Sequence, residues 1–217
     1  RATAGPELIL DLKGGGTARE YLMAHYAAYG DLDDVLYFDC QRFLPALSVL
    51  DIGPLLEADI PHEEARHDVA DHYLEMVSRY MGTERFWQAV AAPTAIHNHL
   101  RALLDPVNGR AHVTNAELYG ALRRTQEEGT TPAVSDDGLA DYFGSLLADD
   151  RDVFNRIMGG ATNRVAEIHT DGRLAPMFDH RPGPDDPRFD FADVINEQRV
   201  VIFDFGGMQD SAKATIA

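Results

Sequence analysis

The chain is poor in cysteine and lysine. Cys40 is the one cysteine in 217 residues, which excludes an intramolecular disulfide and any cysteine-based zinc site. Lys13 and Lys213 are the only lysines, leaving 17 arginines. No apolar run approaches the roughly 20 residues that span a bilayer. A basic stretch leading into a hydrophobic core is also missing from the N-terminus, so the chain reads as a soluble cytoplasmic protein. It contains neither a G-x-S-x-G nucleophile elbow nor a G-x-G-x-x-G dinucleotide loop.

What is abundant is acid. Asp and Glu number 36 against 19 Lys and Arg, for a net charge of −17. Such a field repels nucleic-acid phosphates and argues against a general DNA-coating protein. Excess carboxylate with scarce lysine resembles the proteins of high-salt cytoplasm, where salt screens repulsion beyond about 3 Å at 1 M. A halophilic origin is the expectation.

Three short apolar runs read as buried strands: Leu8–Leu12, Val35–Phe38 and Val200–Phe203. Between the first two, Tyr21, Leu22, His25, Tyr26 and Tyr29 recur at helical spacing. Thr17 with Glu20 forms a candidate capping box there, and Gly30 stops the helix. From Pro61 to Ile168 the period is 3.6, predicting helices near 62–81, 84–104, 114–128, 136–149 and 151–169. A polar, proline-rich loop at 180–187 and a short helix at 191–196 precede the third strand. The layout predicts a helix-dominated α/β chain with parallel strands. Residues 1–60 form a β-α-β part, 61–170 an all-α inserted domain, and 171–217 a return loop, a core strand and the start of a helix. Both ends read as cut, which makes the chain the interior of a longer protein.

Each strand runs into an aspartate: Asp11, Asp39 and Asp204. Acids at the carboxyl edge of a parallel sheet can hold Mg²⁺ or position a nucleotide, although aspartate also simply ends strands. Asp11-Leu12-Lys13-Gly14-Gly15-Gly16 follows its strand directly, and glycines beside a lysine can cradle phosphate. Lys13 precedes the glycines, so this is no Walker A loop. Gly207 to Ala214 is a near miss to that loop, with Ala212 at the second glycine and Ala214 at the hydroxyl position. Val201–Gly207 shares a local pattern with haloacid-dehalogenase-type phosphatases, where the strand-end acid, here Asp204, is the nucleophile. Histidines 62, 67 and 72 are five apart and so lie off one helical face, and His97-Asn98-His99 has no ligand spacing. The expected reading is ion pairing, Glu63 with His67 and Asp68 with His72, and no metal site. Phe86, Trp87, Val90 and Leu100 read as core, and Arg156 and Arg164 as salt-bridge partners.

The order of elements resembles one known group. Leu10-Asp11-Leu12-Lys13-Gly14 is similar to the "hhhDpKG" strand after the Walker A helix in TraG-type coupling proteins and HerA/FtsK-like DNA-pumping ATPases, with Leu12 in place of the proline. Phe86-Trp87 resembles the "fW" opening a helix of the all-α insertion in those families. Gly172 to Asp179 resembles their turn back to the core, and Phe189–Val194 with Arg199–Asp204 their last strand before Walker B. The resemblance implies a RecA-like core segment, the stretch between Walker A and Walker B, in a P-loop ATPase that drives conjugation or type IV secretion. It implies a hexameric parent using ATP and Mg²⁺, with DNA or secretion-machinery proteins as partners. This segment alone would then hold no complete ATPase site and bind neither cofactor. Asp11, Lys13 and Gly14 are the expected nucleotide-side residues. The alternative is a non-enzymatic helical interaction domain for a protein or DNA partner.

Overall fold

The computed structural model describes residues 5–14, 16–42, 49–172, 174–181 and 191–208. In chain order these form β1 (Glu7–Asp11), α1 (Thr17–Tyr29), β2 (Val35–Asp39), α2 (Gly53–Glu57), α3 (His62–Met81), α4 (Thr83–Trp87) and α5 (Ala91–Leu103). After a 3-10 turn at Pro106–Asn108 come α6 (Asn115–Glu128), α7 (Asp137–Ala148), α8 (Arg151–Thr170), α9 (Ala175–Asp179), α10 (Phe191–Asn196) and β3 (Val200–Asp204). The chain is helix-dominated α/β. It divides into two compact units, one made from Arg1–Leu47 with Pro184–Ala217 and the other from Ser48–Gly183. Among the described residues no helix is long and apolar enough to cross a membrane.

The first unit is a sheet with helices against it. Its three strands are parallel in the order β1-β3-β2. β3 therefore lies between the two strands that precede it in sequence. Its run of Val200, Val201, Ile202 and Phe203 is buried throughout, as a central parallel strand with both faces covered requires. Val200 and Ile202 pack with Ala18, Tyr21 and Leu22 of α1. Val201 and Phe203 pack on the opposite face with Val194 of α10, Cys40, Phe205 and Met208. The outer strands are less protected, and Leu8 and Leu10 of β1 stay exposed.

One predicted cap is replaced. The N-cap of α1 is Gly16, at φ 93°, with no side-chain capping bond, and Thr17 already lies inside the helix. The role falls to Asp11, whose Oδ2 accepts from the Ala18 backbone N–H at 3.1 Å. A carboxylate at the positive end of the helix is the stronger acceptor, and it reaches α1 from the preceding strand.

The second unit is a helical assembly built chiefly on α3, α5, α6 and α8. Its centre holds Tyr73, Ile96, Leu100, Leu118, Leu122, Met158 and Ile168, all fully buried. Thr114 and Glu117 cap α6 reciprocally, while Asp136 and Asp150 cap α7 and α8. The expected single helix at 84–104 is two, separated at Gln88–Val90. Pro93 explains the break: inside a continuous helix its ring would meet the carbonyl of residue 89, whereas in the first turn of α5 it is tolerated. The break also turns Trp87 and Val90 outward, 41% and 64% exposed, although sequence places them in the core. Phe86 and Leu100 are buried as expected.

Charged side chains pair differently from the expectation as well. Glu63 binds Arg66 and Arg101 rather than His67, because α5 supplies a guanidinium that the local sequence does not show. His67 instead meets Asp71. Arg164 ties α8 to α4, donating to the Phe86 carbonyl at 3.1 Å and lying over the Phe86 ring.

Candidate functional site

The three strand-end aspartates stand in one row. Asp11 is level with Asp204 across β1 and β3, and Asp39 is level with Asp204 across β2 and β3. Equal register in parallel strands puts their side chains on the same face, here the face that carries α1. All three end their strands by the same device. Asp11 Oδ1 accepts from the N–H of Lys13 at 3.2 Å, Asp39 Oδ1 from Gln41 at 3.2 Å, and Asp204 Oδ1 from Gly206 at 3.0 Å. Each is an aspartate turn that reverses the chain immediately after the strand.

Their remaining capacity differs. Asp11 is 5% exposed and fully engaged, with Gly14 N–H at 3.0 Å on the same oxygen and Ala18 N–H on the other. Asp204 and Asp39 are half-buried. Asp204 Oδ2 accepts from the Tyr37 hydroxyl at 2.8 Å, and Asp39 Oδ2 lies 3.3 Å from the exposed Arg42 Nε. The row is negative enough to be felt by its neighbours. Burial, and then Asp204, pushes the Tyr37 hydroxyl up to about 12. Burial with both Asp204 and Asp39 pushes the Cys40 thiol to about 12 as well. Cys40 is thus an inert core thiol rather than a nucleophile.

The loops leaving β1 and β3 touch. A Cβ on Gly14, at φ 64°, would stand 2.3 Å from the Gly206 Cα, so glycine is required there on both counts. Gln41 from the end of β2 packs against Gly207, whose Cβ would lie 3.1 Å from its side chain.

The sequence-expected residues therefore come together with distinct duties. Asp11 and Gly14 build the turn and its crossing with the β3 loop, and Lys13 stands exposed at the same edge. The α1 N-terminus, a place for a phosphate in principle, has its Ala18 N–H taken by Asp11. The Walker-A-like stretch up to Ala214 lies mostly outside the described residues, as does most of the 180–187 loop. Tyr37 and Gln41 are parts of the edge that sequence reasoning did not select. Tyr37 shares a face with Asp39 by strand period, but its bond to Asp204 depends on β3 entering beside β2. No protein family, curated protein or solved structure matches the chain.

Proposed function

We propose that this chain is an interior segment of an ATP-driven DNA-translocating motor of the HerA/TraG type, used in conjugation or type IV secretion. Its sheet would belong to a RecA-like core, interrupted by the all-α unit. The observation that carries the reading is the discontinuous first unit. The chain leaves the sheet after β2, folds a separate helical unit, and re-enters with β3 between β1 and β2. Asp204 thereby arrives beside Asp11 and Asp39 at one carboxyl edge, where open parallel sheets bind ligands.

In this reading Lys13 offers its ammonium to phosphate, Asp11 fixes the turn that presents it, and Gly14 admits the β3 loop. Asp39 and Asp204 retain free carboxylate lone pairs and suit the hydration shell of Mg²⁺. Phosphoryl transfer further requires a P-loop lysine and an acid positioning water, which this reading assigns to the parent protein outside the segment. ATP and Mg²⁺ are then cofactors of a hexameric parent, and the segment alone is inactive.

The test is ATP hydrolysis with Mg²⁺ at molar KCl, comparing the segment with its gene extended by about 60 residues at each end. Turnover in the extended protein alone supports the motor. Turnover by the segment itself overturns its assignment as an incomplete site, and silence in both overturns the motor. Silence would favour the helical unit as a non-enzymatic interaction domain. The observation behind that second reading is a surface groove of 330 Å³ beside the exposed Trp87.

A further inference from the structure

The helical unit carries a second constellation, independent of the sheet edge. α3 places His67 and Asp71 one turn apart on one face, and α5 brings His97 against them. His67 Nε2 lies 3.4 Å from Asp71 Oδ2, and His97 Nε2 lies 3.2 Å from Asp71 Oδ1. One ligand atom from each of the three falls within 4.8 Å of the others. The two imidazoles meet edge to face, with ring centres 5.0 Å apart.

We propose that His67, Asp71 and His97 bind a divalent transition-metal ion of the zinc class. Ligand atoms about 2.0–2.1 Å from a tetrahedral zinc sit roughly 3.3–3.4 Å from one another. Each imidazole nitrogen stands near that separation from one Asp71 oxygen, His67 from Oδ2 and His97 from Oδ1, and rotation of the exposed carboxylate would put one oxygen on both edges. The third edge closes by rotation of His67, which is at the surface.

The state of His97 supplies a second, separate observation. Its Nε2 is buried and makes no hydrogen bond, although a carboxylate oxygen lies 3.2 Å away. The nitrogen thus sits beside Asp71 without a hydrogen bond of its own, and a metal ion shared with that carboxylate would satisfy it. Its other nitrogen faces the Asn98 side-chain oxygen at 3.5 Å. A proton on that nitrogen leaves the Nε2 lone pair for the metal.

Charges around the cluster permit a cation. Arg101, one turn beyond His97, is tied to Glu63, which also holds Arg66. Glu75, one turn beyond Asp71, is paired with Arg79. Two imidazoles and one carboxylate select zinc, cobalt or nickel over magnesium or calcium, which prefer oxygen donors. His67 and Asp71 are exposed, so water completes the coordination. The ion would pin α3 to α5.

The test is titration of the tag-free, chelator-treated full chain with Zn²⁺ by calorimetry and with Co²⁺ by visible absorption. The wild type should bind one ion, and Co²⁺ should give the intense visible band of a low-coordinate site. His67→Ala, Asp71→Asn and His97→Ala should each weaken binding at least 10-fold. His72→Ala, an exposed histidine on the same helix, should leave it unchanged. Circular dichroism checks each variant's fold, and the surface substitutions His67→Ala and Asp71→Asn keep the test valid if His97→Ala unfolds. Wild-type binding no tighter than that of these two variants, or equal loss on His72→Ala, would overturn the site. Competition by millimolar Mg²⁺ would overturn its metal class.

Discussion

Asp105 joins three segments of the helical unit through one buried carboxylate. It is 0% exposed and accepts four hydrogen bonds. Arg66 Nη1 donates at 2.8 Å, the Ser135 hydroxyl at 2.7 Å, the Ser135 N–H at 3.2 Å and the Val107 N–H at 3.0 Å. Arg66 is itself buried; its other nitrogens reach Glu63 and Asp136. Asp105→Ala would therefore strand a buried guanidinium edge and two backbone donors at once. Breaking one side of a buried pair costs about 3–5 kcal/mol. At a urea dependence of about 2 kcal/mol/M, the midpoint should fall by about 1.5–2.5 M. Trp87, the only tryptophan, lies in this unit, so its fluorescence follows the relevant transition. The double replacement Arg66→Met with Asp105→Leu removes both charges and should recover the part of the loss due to the stranded guanidinium, while the Ser135 and Val107 N–H groups stay without their acceptor. A loss below about 1 kcal/mol for Asp105→Ala, or a double variant worse than the single, would refute the reasoning. A pH arm has a defined sign. Burial alone would raise the Asp105 pKa, but Ser135, the two N–H groups and Arg66 outweigh it and hold it at about 2, below its ordinary 3.8. The stability it contributes is complete above pH 4 and is lost as pH falls toward about 2.

Three other outcomes are expected. Gly14→Ala should destabilise the sheet unit by at least about 1–3 kcal/mol from its positive φ, and further from overlap with Gly206; Gly16→Ala, also at positive φ but in open space, should cost less, and equal losses in thermal unfolding would contradict the crossing. Cys40 should resist a thiol reagent at pH 8 in the folded protein and react once unfolded, because its pKa stands at about 12; rapid native labelling would be the contrary result. If the −17 charge is a salt adaptation, the thermal midpoint should keep rising between about 0.1 and 2 M KCl, past the range of simple screening, whereas a flat response would mark an ordinary acidic protein.

Much of the secondary structure was legible because it rests on local chemistry. The 3.6-residue period delimits α3, α6, α7 and α8 closely, and the unbroken Val200–Phe203 run marks a strand buried on both faces. Features set by distant neighbours were not. Nothing near Asp11 shows that it caps α1, nor that β3 enters between β1 and β2. The short helices α2 and α9 are too brief to display a period. Pro93 did carry a local signal, and it moves the helix boundary that hydrophobic spacing alone runs through. The aspartate row was half legible: strand-end acids are visible in sequence, but their common register and Tyr37's bond to Asp204 are products of the sheet. His67, Asp71 and His97 illustrate the same limit, since His97 lies 26 positions from Asp71 and only α3–α5 packing joins them.

The measurement that most directly tests the central proposal is amide hydrogen exchange of the extended protein with and without a non-hydrolysable ATP analogue and Mg²⁺. The account predicts slower exchange at residues 11–14, 16–18 and 204–208, at the carboxyl edge of the sheet, while the buried centres of α6 and α8 stay unchanged. Nucleotide binding that leaves this edge unprotected would contradict it.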